Sequence, residues 1–429
     1  MVDIEPIYRR FLECSGACTD TRAIAPGCMF FALKGPRFNA NGLAAEALSK
    51  GARFALIDDA SYSDDDRCIL VPNVLVAMQE LACHHRRRFT LPVLAITGTN
   101  GKTTTKELVH AVLAADRCTL ATIGNLNNHI GVPLTLLRIK PEHAFAIIEM
   151  GANKAGDIDE LMRIAEPTHG LITNIGKAHL EGFGSLEGVV RTKTELYRWL
   201  GAHAGHLFVN GDDPLLMDHA AAWEQRFTYG TAKRNDCQGG LLESDSCLNL
   251  WFRSTMGERV EVRTRLIGSY NLPNALAAVA AGQFFGVPDA LIAEALEGYW
   301  PSNNRSQWRD SGRNQLILDA YNANPTSVEA ALRHFALLHA AKPKLAILGD
   351  MLELGQEAPA EHRRIAALCV ELGLDSIFVG PAYGAVGAPN TFESLEALMA
   401  AWKAAAPEGK VILLKGSRGM QLERLEPML

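Results

Sequence analysis

The sequence predicts an α/β protein of three domains: a small N-terminal α/β domain at residues 1–89, a central P-loop domain on a parallel sheet at 90–300, and a C-terminal Rossmann-like domain at 301–429. Three observations carry this expectation. Between Pro92 and Asn210, apolar runs of strand length alternate with helix-period segments, the rhythm of a parallel sheet covered on both faces. The same alternation restarts after Tyr299-Trp300-Pro301, as in a second, smaller doubly wound unit. Finally, 429 residues at 48% hydrophobic and 21% charged make an ordinary globular composition too long for one core.

In the first block, apolar runs at 29–33, 53–57 and 68–71 stand between Gly, Asn and Asp turns. The block closes on His84-His85-Arg86-Arg87-Arg88, which reads as a solvated helix end before a linker, with a phosphate contact as the alternative. The second block opens with the buried-strand pattern Val93-Leu94-Ala95-Ile96-Thr97, followed by glycine and a helix-like stretch at 102–115. Strands are expected again at 144–150, 170–174 and 207–210. Alternation in Leu248-Asn249-Leu250-Trp251-Phe252-Arg253 predicts an antiparallel edge ribbon within 247–267, and an Ala-rich helix runs from 273 to about 285. In the third block, strands are expected near 315–318, 344–348, 376–379 and 411–414, with helices near 325–340, 360–372 and 393–403.

Net charge is −6, so no global basic field recruits nucleic acid or anionic lipid, and an anionic ligand must be met locally. The acidic start Met1-Val2-Asp3-Ile4-Glu5-Pro6 is unlike a secretory signal, and no uncharged apolar run reaches the ~18 residues that span a bilayer. The expectation is a cytoplasmic protein without membrane insertion. Nine scattered cysteines without a C-x-x-C pair suit reduced packing thiols better than disulfides or zinc.

Directly after the Val93-to-Thr97 strand comes Gly98-Thr99-Asn100-Gly101-Lys102-Thr103-Thr104. Glycines let backbone N–H groups converge on phosphate oxygens, the following helix offers its positive N-terminus, Lys102 supplies a mobile cation, and Thr103 offers a hydroxyl to Mg²⁺. The run Phe145-Ala146-Ile147-Ile148-Glu149 delivers a carboxylate at a strand's C-terminal end, where open α/β sheets place ligands. Glu149 is therefore the candidate Mg²⁺ partner, with helix capping as the alternative. The next strand exits toward His179, a candidate for a second metal or for the transferred phosphoryl group. Lys193 reads, from pattern alone, as a solvated lysine. Asn271 and Asn274 place two amides at a helix start, where they either cap it or read a base edge. Arg305 can bridge to phosphate across a domain interface, and Asp319 ends a strand where it can hold a ribose hydroxyl.

These residues resemble the Mur ligase family, the ATP-dependent amide-forming enzymes of peptidoglycan precursor synthesis, over essentially the whole chain. The short glycine spacing of Gly98-Thr99-Asn100-Gly101-Lys102 is similar to that family's own variant of the phosphate loop. Lys106-Glu107, Gly124-Asn125-Leu126-Asn127-Asn128-His129-Ile130-Gly131-Val132-Pro133 and Asp319-Ala320-Tyr321-Asn322-Ala323-Asn324-Pro325 resemble the branch that joins D-alanyl-D-alanine to UDP-N-acetylmuramoyl-tripeptide. Gly349-Asp350-Met351-Leu352-Glu353-Leu354-Gly355 and Lys415-Gly416-Ser417-Arg418-Gly419 agree.

The resemblance implies that ATP, two Mg²⁺ ions and those two substrates meet on a monomer. It makes the first block the UDP-substrate domain, the second the ATP-binding domain and the third the ligase domain. It assigns Glu149 and His179 to metal, and Lys193 to a lysine that CO₂ converts into a carbamate ligand. It carries Asn271, Asn274, Arg305 and Asp319 over to nucleotide contacts. It further implies that Thr21, Arg22 and Lys34 lie in segments holding the UDP end, that Asn125, Asn127 and Asn128 face substrate, and that Asn322, Asn324 and Arg418 face the acceptor dipeptide. A hinge is expected near 299–302. Two positions depart from the family pattern: Tyr270 stands where many members carry His, and Asn39-Ala40-Asn41-Gly42-Leu43 replaces the usual D-G-H segment. Two other classes of nucleotide protein lack their marks, since Asn153-Lys154-Ala155-Gly156 has Gly where a guanine-binding motif needs Asp, and no L-S-G-G-Q occurs.

Overall fold

Parallel strands joined by helices account for most of the chain in the computed structural model, which describes residues 3–178, 180–243, 247–301, 305–403 and 405–429. Among the described residues, the first block forms a four-stranded sheet ordered Ala17–Cys18, Met29–Phe31, Phe54–Ile57, Cys68–Leu70, parallel throughout. Helices Ile4–Leu12 and Val74–Arg86 cover one face and Ala44–Ser49 the other. The first face does not close on itself. Phe31, Leu56 and Leu81 belong to one continuous core with Val93, Ile148 and Leu161 of the second block.

That shared core corrects the reading of the basic cluster at His85 and Arg86. His85 is buried between the Tyr8 hydroxyl, 3.2 Å away, and the Ile139 carbonyl at 2.9 Å. The buried Arg86 guanidinium donates to the carbonyls of Phe89, Ala165 and Glu166. The last two carbonyls end helix Asp157–Ala165, where backbone acceptors lack helical partners and the dipole is negative, so a cation is drawn in rather than solvated. Arg87 pairs with Glu166 and Arg88 with Glu5. His85 and Arg86 thus form a strut between blocks, while Arg87 and Arg88 stay exposed at the helix end, as expected.

The second block is a nine-stranded sheet among the described residues, ordered Arg259–Ile267, Cys247–Arg253, Cys237–Leu241, Arg226–Gly230, His206–Asn210, His169–Ile172, Val93–Thr97, Phe145–Glu149, Thr119–Ala121. The first two strands form the expected antiparallel ribbon, and the others run parallel. The Ala-rich helix Leu272–Phe284 is buried from Ala275 to Gly282, packed between the sheet and helix Lys102–Ala114. In the third block the order is Gln307–Asp310, Gln315–Asp319, Val411–Lys415, Lys344–Gly349, Asp375–Val379, Thr391–Phe392, with only the first strand antiparallel among those described. No described helix is long and apolar enough to cross a membrane.

Candidate functional site

The strand Val93–Thr97 lies between Phe145–Glu149 and His169–Ile172, so three C-terminal strand ends open together. There the chain turns at Gly98 (φ +139°) and Gly101 (φ +78°) into helix Lys102–Ala114. Both glycines are required by space as well as by φ. A Cβ on Gly98 would stand 2.0 Å from Thr173 Oγ1, and one on Gly101 2.6 Å from Asn274 Oδ1. Thr173 and Asn174 brace the loop: Asn100 N donates to Asn174 Oδ1 at 3.0 Å, and Thr173 Oγ1 donates to Asn100 O at 2.5 Å.

Lys102 folds back over its own loop, Nζ donating to Gly98 O at 2.8 Å and Thr99 O at 3.0 Å. Burial pulls its pKa down to about 8, with nearby Arg305 pushing the same way and Glu149 opposing. Glu149 is 1% exposed at its strand end. Its Oε1 accepts from Asn127 Nδ2 at 2.7 Å, whereas Oε2 is buried with no hydrogen-bond partner among the described residues. An orphaned carboxylate oxygen in the same cleft as Thr103 is the donor set a divalent cation takes.

The pattern reading of Lys193 as solvated is overturned. It ends helix Leu186–Lys193 at 3% exposure, with Nζ 3.4 Å from Thr97 Oγ1 and 6.0 Å from the Phe183 ring. Burial, then the Lys102 charge, holds its amine well below the usual lysine range, against the opposing pull of Asp157 and Glu195. His179 lies outside the described residues.

Asn271 and Asn274 line the cleft, but neither caps helix Leu272–Phe284 through its side chain. They form a chain instead. Thr105 Oγ1 donates to Asn274 Oδ1 at 3.0 Å, Asn274 Nδ2 to Asn271 Oδ1 at 2.8 Å, and Asn271 Nδ2 to Ile267 O at 2.8 Å.

The third block faces this surface across a cleft of about 1310 Å³. Arg305 lies with its guanidinium 3.7 Å from the Tyr321 ring centroid, and its buried Nε has no partner among the described residues. Asp319 Oδ2 pairs with Lys415 Nζ at 2.7 Å, and that ammonium also reaches Asn322 O at 3.2 Å. Asn324 Nδ2 donates to Asn100 Oδ1 at 2.6 Å, with the reverse amide contact at 3.4 Å, so the third block touches the phosphate loop itself. Asn125, Asn127 and Asn128 also line the cleft.

Five expected substrate contacts are not part of its lining: Asn324, which instead meets Asn100, and Thr21, Arg22, Lys34 and Arg418. Thr21 is buried, its carbonyl bound by Lys50 Nζ, while Arg22 pairs with Asp20 and Lys34 with Asp58 on the first block. Arg418 pairs with Glu423, 5.7 Å from Tyr321. Lys415, Tyr321, Thr173 and Asn174 are cleft residues that were not singled out from sequence. Lys415 carried the same signal as Glu149, a charged residue closing an apolar strand.

The Mur ligase middle domain model matches residues 96–282, and the Mur ligase, glutamate ligase domain model matches residues 304–418. The chain is 35% identical over 426 residues to the UDP-N-acetylmuramoyl-tripeptide--D-alanyl-D-alanine ligase of Bacillus subtilis (strain 168), covering 96% of this chain and 92% of that one. It is 35% identical over 421 residues to the enzyme of the same name from Escherichia coli (strain K12), covering 95% and 92%. A crystal structure of MurF from Acinetobacter baumannii superposes with a TM-score of 0.85 at 31% identity, covering 99% of this chain and 97% of that one.

Proposed function

The chain belongs to the Mur ligase family, and from that premise we propose that it joins D-alanyl-D-alanine to UDP-N-acetylmuramoyl-tripeptide at the expense of ATP. One observation carries the reading most strongly. The phosphate loop with Lys102, the orphaned Glu149 carboxylate and Arg305 line a single cleft into which the second and third blocks both project. A nucleotide triphosphate and an organic acid brought together there are oriented for transfer of the terminal phosphoryl group.

The substrate carboxylate attacks the γ-phosphorus, the bond from that phosphorus to the β–γ bridging oxygen breaks, and ADP departs. The acceptor amine then attacks the acyl carbon of the acyl phosphate, loses its proton, and phosphate leaves. Lys102 and Arg305 neutralise the charge that otherwise keeps carboxylate and γ-phosphate apart. The helix N-terminus beyond Gly101 holds the phosphates, and Asp319 is assigned to the ribose. Asn271 and Asn274, engaged with each other, build the floor of the base side rather than reading it with free amides.

Thr103, Glu149 and His179 would hold Mg²⁺, and a Lys193 carbamate a second ion, whose charge offsets that of the triphosphate. Burial, then the Lys102 charge, lowers the Lys193 pKa and so favours the neutral amine, the form that adds to CO₂. Asn125, Asn127 and Asn128 fit the muramoyl peptide, and Asn322 and Asn324 the dipeptide. Thr21, Arg22 and Lys34 are reserved for the distal UDP end. We assign the three blocks to UDP substrate, ATP and ligation, in a cytoplasmic monomer.

Phosphate release from purified protein tests the reading. It should require ATP, the UDP-muramoyl tripeptide and D-Ala-D-Ala together; release that ignores either organic substrate would overturn it.

A further inference from the structure

Resting on that reading, the geometry points to Tyr270 as a positioning residue, one that aims Arg305 across the cleft through Ser306. Ser306 is buried and holds a left-handed backbone, φ +46°, which a residue with a Cβ adopts only when its surroundings impose it. Two contacts from the second block impose it here. The Tyr270 hydroxyl stands 3.1 Å from Ser306 Oγ, and Asn271 Nδ2 donates to the same oxygen at 3.4 Å. The tyrosine is itself seated deliberately: Gly268, at φ +94°, leaves space where a Cβ would lie 2.2 Å from Tyr270 Cε1. Burial pushes the phenol far above its usual range, with Asp319 adding to the shift, so it remains a neutral hydroxyl at any working pH.

From Ser306 the connection continues inward. Asn271 joins Asn274, and Asn274 joins Thr105 in the first turns of the phosphate-loop helix. The backbone turn that carries Arg305 is thereby tied to the element that holds the triphosphate. The Tyr321 ring lies against the guanidinium, 3.7 Å from its carbon to the ring centroid, but does not by itself set its reach. Tyr270 sets the reach.

Steady-state kinetics on Tyr270→Phe tests this, with and without Arg305→Ala. The phenylalanine variant should lose about tenfold in kcat while KM for ATP moves less than about twofold. In the Arg305→Ala background the same change should cost less than about twofold, because the group it aims is gone. Ser306→Gly, which accepts the left-handed turn but lacks the hydroxyl, should reproduce the kcat loss if the tyrosine variant does not fold. A raised KM for ATP with unchanged kcat would make Tyr270 a nucleotide contact and overturn the proposal. Equal losses in both backgrounds would make its role merely structural and do the same. Wild-type protein that forms no product would instead defeat the functional reading on which this rests.

Discussion

Two lysines on neighbouring elements illustrate what a residue's surroundings decide. Lys102 hydrogen-bonds two carbonyls of its own loop, Gly98 and Thr99, while Lys193 has, among the described residues, a single hydroxyl partner at 3.4 Å. Lys102 was legible because its chemistry is local: glycines, a strand before and a helix after. Lys193 was not, since its burial comes from contact with Phe183 and Thr97, the latter 96 positions away. Replacing Lys102 by alanine should remove at least ~3 kcal/mol of transition-state stabilisation, as loss of one preorganised charge does. Measured kcat/KM near the parent value would contradict its role. With the carbamate proposed at Lys193, Lys193→Ala should be inactive yet partly restored by short carboxylic acids, which would stand in for it; absence of rescue at any concentration would count against that modification.

At the scale of elements, apolar strands flanked by helices were readable, and strands whose form depends on their neighbours were not. Cys237–Leu241 contains Gly239 and Gly240, poor strand formers, because a Cβ there would meet Leu276 at 2.4 Å and the Trp251 indole at 2.8 Å. Asp350, in one of the family-like segments, accepts through its carboxylate from Ala382 N and Tyr383 N at the start of helix Pro381–Ala385. The strand His169–Ile172 holds a titration in its packing. His169 stacks on His206 at 5.3 Å and meets Phe284 and Phe285, and burial, then the His206 charge, pulls its pKa to about 4 from 6.5. Below pH 6.5 the unfolded chain takes up a proton that the folded chain refuses, so stability present at neutral pH is lost as pH falls toward 4. That loss is on the order of 3 kcal/mol. Denaturant titrations at pH 7 and 4.5 should show His169→Phe narrowing the gap by most of that amount, and an unchanged gap would contradict the assignment.

Across the whole molecule, the second and third blocks are stitched by contacts of unequal strength. Lys177 reaches Glu361 at 3.0 Å, but the lysine side chain is 46% exposed, so the pair is worth about 0.2–1 kcal/mol and is screened by salt. The Asn100–Asn324 amide pair and the buried Ser306 contacts are the firmer closures. Lys177→Met should therefore lower kcat/KM by no more than about fivefold and weaken its salt dependence. A collapse of activity would show that the ion pair holds the cleft shut. None of these partners was visible from sequence, nor was the fusion of the first block's core with the second, because both arise between segments that share no local pattern.

The account stands on one transfer, that of the terminal phosphoryl group of ATP to the substrate's carboxylate inside this cleft. Tripeptide substrate labelled with ¹⁸O in its terminal carboxylate tests it most directly. Mass spectrometry should find one labelled oxygen in each phosphate released, carried there through the acyl phosphate. Amide formed while the phosphate stays unlabelled would contradict it.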